Sequence, residues 1–209
     1  MQWSDIPLPW QICIQESWEG FCAGTVPIGA AVFDRDGRLL ARARNHIRDE
    51  APPEQIGHHD LAHAEVNALL QIDRRQVNTH TCTLYTAVEP CPLCMGALYM
   101  MGIYDVRFIA RDTYAGATDL LGKTWYLAHK PVHARGPVPE LEDFMLALQT
   151  TQHCRMGYTR ERTGDLYDRW HSVSPRGVER GWQLFDSGEL QRAAQAGLSP
   201  AQVMELVNL

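Results

Sequence analysis

The chain has 209 residues, of which 45% are hydrophobic and 9% aromatic, and a formal net charge of −6 at pH 7. This size and composition are typical of one soluble globular domain, or of one domain with an appended segment. No apolar run reaches the roughly 20 residues that a membrane-spanning helix needs, and the N-terminal MQWSDIPLPWQ lacks the features of a secretory signal. We therefore expect a cytoplasmic protein with no membrane partner, and the negative charge disfavours a nucleic-acid substrate without excluding one.

The first half of the chain alternates helical and extended patterns. In chain order, these patterns predict a helix, a β-hairpin, a helix that Asp60 can cap, a strand, a helix and a strand, over residues 9–24, 28–45, 60–73, 82–89, 92–101 and 105–110. Because two of the helices are placed as crossovers between strands, we predict a three-layer α/β/α fold with a central mixed sheet of about five strands.

The pattern weakens after about Tyr126. We predict a short strand, an amphipathic helix, an irregular region and two final short helices, over residues 131–138, 140–154, 157–185, 187–197 and 199–209. These elements divide the chain into a domain over residues 1–155 and a C-terminal helical extension over residues 156–209.

Two motifs, each at the start of a predicted helix, combine the side chains that bind zinc. His63 stands in the first turn of one helix, and Cys91 and Cys94 open the next. Residues three apart share a face of a helical turn, so both thiolates can reach one point. One imidazole and two thiolates leave the fourth zinc position open, as in catalytic rather than structural sites. We predict one Zn²⁺ per subunit, held by His63, Cys91 and Cys94.

Glu65 follows His63 by two residues and is not expected to be a ligand. At the first turn of a helix a metal can lie over the helix end, so His63 and Glu65 can flank the same point from different sides. The carboxylate could then move a proton from a zinc-activated water to a substrate, and the amide of Ala64 could bind a substrate atom. His58 and His59 precede the helix in a loop and are interpreted as exposed residues or as part of a substrate-contacting rim.

The combined motif, His63-Ala-Glu65 followed by Pro90-Cys91-Pro-Leu-Cys94, matches the signature of zinc-dependent nucleobase deaminases. Residues 10–121 resemble the cytidine/deoxycytidylate deaminase superfamily. The stretches VPIGAAVFD, HHDLAHAE, TLYTAVEPCPLCMGAL and ARDTYAGA are similar to bacterial tRNA adenosine deaminases, and PCPLCMGALY is equally similar to free-base guanine deaminases. The resemblance implies a cytidine-deaminase-like fold, a deaminase domain over residues 1–155 and a homodimer.

The resemblance also implies substrate contacts. It assigns a hydrogen bond to the base to Asn45, a backbone amide contact to Ala64, a wall beside the base to Pro27, and a backbone near the departing amine to Glu89 and Pro90. The carboxylate of Glu89 is expected to anchor a loop.

The function that follows is a zinc-dependent hydrolytic deaminase of purine metabolism, similar to guanine deaminases. Its substrate would be a nucleobase, a nucleoside or a related small heterocycle, because the chain is acidic, has only two lysines and carries an extension that could close a small pocket. The first alternative is a tRNA-specific adenosine deaminase that forms inosine. A more distant one is an inactive zinc-binding module, against which the presence of Glu65 argues.

Overall fold

A five-stranded mixed sheet lies between two layers of helices in the computed structural model, which describes residues 1–207. The strands are β1 (Gly29–Phe33), β2 (Leu39–Arg44), β3 (Thr83–Val88), β4 (Asp105–Ala110) and β5 (His133–Arg135). The helices are α1 (Leu8–Ala23), α2 (Ala64–Leu70), α3 (Pro92–Met101), α4 (Trp125–Ala128), α5 (Pro139–Arg155), α6 (Gly164–His171), α7 (Pro175–Ser187), α8 (Glu189–Gln195) and α9 (Pro200–Val207). The predicted three-layer fold is confirmed; the last two residues of the predicted final helix, 208 and 209, lie outside the described residues.

The sheet has the strand order β2-β1-β3-β4-β5. Strand β1 is antiparallel to both β2 and β3, whereas β3, β4 and β5 run parallel. Val88 of β3 lies opposite Ala110 of β4, so the carboxyl ends of these two strands meet at one edge of the sheet. That edge also receives the start of β1, because Ala30 pairs with Thr86.

The alternation of side chains along β1 divides the core between the two faces of the sheet. Ala30 and Val32 join the core formed with α2 and α3, and Ala31 and Phe33 join the core formed with α1 and α5. Successive residues of a strand point to opposite faces, and all five residues of β1 are buried, so this strand is covered on both sides.

Helices α6 to α9 pack on the same side of the sheet as α1 and α5, and their apolar side chains belong to the same core. The prediction of an irregular region over residues 157–185 was therefore wrong, since α6 and α7 occupy most of it. Two glycines weaken the helical signal of α7, but they allow it to approach α5 closely. An added Cβ would meet the Asp143 backbone at Gly177 and Thr150 at Gly181.

The helix predicted over residues 140–154 forms as α5, but it is not amphipathic. Most of its residues are buried, because the sheet covers one side and α7 covers another. The division at residue 155 stays a prediction, and we propose it only as a boundary in sequence. None of the helices in residues 1–207 combines the length and apolar character needed to cross a bilayer.

Candidate active site

The two predicted motifs meet at the sheet edge where β3 and β4 end. Helix α2 begins at Ala64 with His63 as its N-cap, so the expected cap at Asp60 and the placement of His63 inside the first turn were wrong. The extended backbone of His63 ends the preceding loop immediately before the helix. The second motif follows β3, which ends at Val88, and a short connection leads from there to Cys91, the N-cap of α3.

Three side chains converge with the spacing of a tetrahedral metal site. His63 Nδ1 lies 3.5 Å from the Sγ atoms of both Cys91 and Cys94, and the two sulfurs lie 3.6 Å apart. With Zn–S near 2.3 Å and Zn–N near 2.0–2.1 Å, an ideal tetrahedron has S···S of about 3.8 Å and S···N of about 3.6 Å. The three donors therefore fit a zinc ion without rearrangement, and these residues could hold a metal.

The protonation of the cluster also fits a cation. Hydrogen bonding from Cys94 lowers the pKa of the Cys91 thiol to about 4, and a hydrogen bond with Cys91 raises the pKa of His63. The hydrogen bond with Cys91, followed by burial, raises the pKa of the Cys94 thiol. A divalent cation bound by these three groups would displace the protons that they hold.

Glu65 places a buried carboxyl group beside the three donors. Its side chain is only 3% exposed, one oxygen accepts a hydrogen bond from the Thr86 hydroxyl at 3.0 Å, and the other lies 3.3 Å from Cys94 Sγ. Burial raises the pKa of Glu65 above its ordinary value. A carboxyl group held in this way can accept and release a proton at the open side of the cluster.

Asn45 and Pro27 lie at the same sheet edge, at the end of β2 and before β1. The Asn45 Oδ1 atom accepts hydrogen bonds from the Thr25 hydroxyl at 2.8 Å and from the Ile47 amide at 3.0 Å. These bonds orient the buried amide group, whose Nδ2 has no partner within residues 1–207. The Pro27 carbonyl accepts from Gln149 of α5 at 2.8 Å, which holds the segment in place.

Glu89 and Pro90 connect the cluster to the loop over residues 111–118, here called the post-β4 loop. The Glu89 carboxylate accepts from the Asp112 amide at 3.2 Å and from both the amide and the hydroxyl of Thr118. The Pro90 carbonyl accepts from the Ala117 amide at 2.9 Å. The carboxylate of Glu89 thus anchors the loop.

Sequence reasoning missed Thr86, although a hydroxyl residue between the apolar residues of a strand is a signal that a polar partner is present. It also missed the contacts of Asp112, which carry no local signal. His58 and His59 are exposed, and His59 Nδ1 accepts from the Leu61 amide, so the structure does not bring them into the metal-binding cluster.

The sequence matches a known family. The family model described as "Cytidine and deoxycytidylate deaminase zinc-binding region" matches residues 9–110. A probable cytosine deaminase of Schizosaccharomyces pombe is 31% identical over 134 residues, which cover 57% of this chain and 75% of that protein. The chain belongs to the cytidine and deoxycytidylate deaminase family. The resemblance seen in the sequence is confirmed, and the matched region is the zinc-binding region of this deaminase family.

Other relatives of this chain are named for different deaminase activities. The tRNA-specific adenosine deaminase of Aquifex aeolicus is 32% identical over 109 residues, covering 51% of this chain and 66% of that protein. The guanine deaminase of Bacillus subtilis is 33% identical over 99 residues, covering 46% of this chain and 59% of that protein. The chain thus spans less than two thirds of either relative. The solved guanine deaminase from Nitrosomonas europaea has the same fold, with a TM-score of 0.56 at 23% identity over 71% of this chain and 85% of that chain.

Proposed function

We propose that this protein is a zinc-dependent hydrolytic deaminase. It would replace the exocyclic amino group of a nucleobase, a nucleoside or a related small heterocycle with a carbonyl group and release ammonia. The observation that carries this proposal is the buried Glu65 carboxyl group, 3.3 Å from one sulfur of a three-donor cluster with tetrahedral spacing.

His63, Cys91 and Cys94 would hold the zinc ion. When bound in a site with one open position, zinc supplies Lewis acidity that makes a water molecule nucleophilic near neutral pH. The positive end of the α3 helix dipole lies at Cys91 and favours its thiolate form.

Glu65 would act as the proton shuttle. It would take a proton from the attacking water and deliver it to the ring nitrogen next to the carbon under attack. It would then take the second proton from the hydroxyl group now on that carbon and transfer it to the amine, which leaves as ammonia while the carbonyl forms. The Thr86 hydroxyl holds one carboxyl oxygen, and the other oxygen, 3.3 Å from Cys94 Sγ, would face the reacting atoms.

The substrate contacts are proposed from the same edge of the sheet. Asn45 would donate its free Nδ2–H group to an acceptor of the base, and the first-turn amide of Ala64 would bind a second polar atom. Pro27 would flank the ring, and the backbone of Glu89 and Pro90 would lie near the departing amine.

We favour a small-molecule substrate of the guanine-deaminase type. A net charge of −6 is unlike that of a dedicated nucleic-acid binder, and α6 is hydrogen-bonded to the post-β4 loop beside the cluster. Adenosine in tRNA is the second candidate, supported by the Aquifex aeolicus relative and by the similarity over residues 26–34. A homodimer and a cytoplasmic location remain predictions from the sequence; light scattering after gel filtration measures the oligomeric state.

The deciding experiment measures ammonia release from guanine, adenine, cytosine, cytidine, adenosine and an anticodon stem-loop. It uses the zinc-loaded protein, Glu65→Gln, and the exposed control Glu205→Gln. We expect release from at least one small substrate, a roughly 10²- to 10⁴-fold lower rate in Glu65→Gln with zinc retained, and no change in the control.

Each other outcome rejects a stated part of the proposal. Activity on the stem-loop alone rejects the small-molecule class. Full activity in Glu65→Gln rejects the proton shuttle. Stoichiometric zinc without ammonia from any substrate favours the inactive zinc-binding module.

A further inference from the structure

Helix α6, in the C-terminal part of the chain, is bonded directly to the post-β4 loop. Trp170 is 3% exposed and donates its indole Nε1–H to Asp112 Oδ1 at 2.9 Å. The adjacent Arg169 carbonyl accepts from the Thr113 hydroxyl at 2.6 Å. Two consecutive residues of α6 thus hold two consecutive residues of the loop.

Asp112 shapes the loop that it belongs to. The oxygen that accepts from Trp170 also accepts from the amides of Tyr114 at 3.1 Å and Ala115 at 3.0 Å. One carboxylate oxygen therefore closes the turn and binds α6. The loop is packed tightly here, because a Cβ at Gly116 would lie 2.6 Å from the carboxyl carbon of Glu89.

The far end of the loop contacts the residue that precedes a proposed zinc ligand. The Ala117 amide donates to the Pro90 carbonyl at 2.9 Å, and Pro90 is followed directly by Cys91. The Glu89 carboxylate binds both ends of the loop, at Asp112 and at Thr118. Contacts thus run without interruption from α6 through the loop to the peptide that positions Cys91.

The start of the loop has a second anchor. Arg111 makes a bidentate pair with Glu142 of α5, at 2.8 and 2.7 Å, and donates to the Val173 carbonyl at 3.3 Å, just after α6. This pair fixes the base of the loop, so the bond from Trp170 controls mainly the orientation of the turn beyond it.

We propose that Asp112 is a positioning residue through which α6 holds Cys91 and the Glu89-Pro90 backbone in place. The C-terminal segment is then required for the geometry of the metal site and is not merely an attached helical layer. The inference deepens the proposed function, on which its catalytic part rests, while its metal-binding part can be tested without turnover.

The test compares two indole-to-phenyl substitutions that each remove one hydrogen bond of the C-terminal segment. Trp170→Phe removes the bond to Asp112. Trp18→Phe is the matched control, because the Trp18 indole donates to the Leu198 carbonyl at 2.7 Å and ties the same segment to α1. Asp112→Ala removes the acceptor, whereas Asp112→Asn keeps an oxygen that can accept the same three bonds.

Three properties are measured for each variant. Competition with a chromophoric chelator gives the zinc affinity, the visible spectrum of the Co²⁺-loaded protein reports the geometry of the metal site, and steady-state kinetics on an active substrate give kcat and KM. Loss of groups that orient metal ligands typically lowers metal affinity 10- to 100-fold. We expect a loss of about tenfold in Asp112→Ala, a smaller loss in Trp170→Phe, and a shifted Co²⁺ spectrum in both. Asp112→Asn and Trp18→Phe should retain wild-type affinity and spectrum. A KM increase larger than the kcat decrease is expected for Trp170→Phe, because the Glu89-Pro90 backbone would lie beside the bound substrate in the proposed site.

Equal effects of Trp170→Phe and Trp18→Phe on metal affinity would overturn the inference, as would wild-type affinity and spectrum in Asp112→Ala. If Asp112→Ala does not fold, the two tryptophan variants still decide. If no substrate releases ammonia, the proposed function fails, while the zinc and cobalt measurements still accept or reject the role of Asp112.

Discussion

Zinc should raise the Tm of this protein, and the size of the increase can be calculated because the three donors are already in place in the native state. The donor atoms of His63, Cys91 and Cys94 are already within 3.6 Å of one another in the fold. Binding therefore stabilises the native state without a rearrangement that would oppose it, and an unfolded chain does not hold the three groups together. Replacing Cys94 by Ala removes one donor from a fully buried position and should abolish most of the gain.

The size of the effect follows from mass action. At a free zinc concentration 1,000 times the Kd, a ligand that binds only the native state contributes about 4 kcal/mol to the free energy of unfolding. For a chain of 150–250 residues, 1 kcal/mol corresponds to roughly 2–4 °C in Tm. We therefore expect Tm to rise by about 8–16 °C on loading the metal-free protein.

Circular dichroism during thermal unfolding, in buffers that fix the free zinc concentration, measures this shift. The control is Cys22→Ala, which removes an exposed cysteine and should keep the full effect. A zinc-dependent rise in Tm that is as large in Cys94→Ala as in the wild type would refute the assignment of the site. So would the absence of any shift in the wild type at saturating zinc.

Two further predictions concern the stability of the fold. Burial, with a smaller contribution from Glu19, raises the pKa of Glu16 to about 7, so its stabilising protonation is complete below about pH 4.5 and is lost as the pH rises through 7. In Glu16→Gln, the free energy of unfolding should therefore fall less between pH 5 and 8 than in the wild type, by a difference of no more than about 3 kcal/mol. Urea titrations at several pH values measure this, and the same pH dependence in both proteins would contradict the prediction. Gly181→Ala should destabilise the fold by about 1–3 kcal/mol because its Cβ would lie 2.5 Å from Thr150 Cβ. Gly96→Ala in α3, where the Cβ meets nothing within 4 Å, should instead raise the free energy of unfolding by about 0.5–1 kcal/mol. Guanidinium unfolding measures both changes, and a change of the same sign in the two variants would reject the packing argument.

Local chemistry was enough to predict the elements around the site. Gly24 ends α1 with a φ of 79°, a left-handed conformation that favours glycine, and Pro92 begins α3, where its missing N–H group costs no hydrogen bond. The boundaries of α3 and β4 agree with the predicted ones for the same reason, because the residues that begin and end each element lie within or next to it in the sequence. The start of α2 differs from the predicted one, because the backbone is still extended at His63 and the helix begins at Ala64 rather than after Asp60.

The amino-acid sequence by itself determined the family and the candidate residues of the site. The side-chain types and the spacing of His63, Cys91 and Cys94 are local properties, and so is the placement of Glu65 two residues after a candidate ligand. Only the tertiary structure decided how α6 and α7 form and what they contact. Helix α7 is stabilised by packing against α5, and α6 by packing against α7, rather than by helix propensity. Trp170 of α6 meets Asp112 across 58 residues of chain. Such a pair leaves no periodic signal, because its partners become neighbours only after the sheet, the loop and the C-terminal helices have assembled.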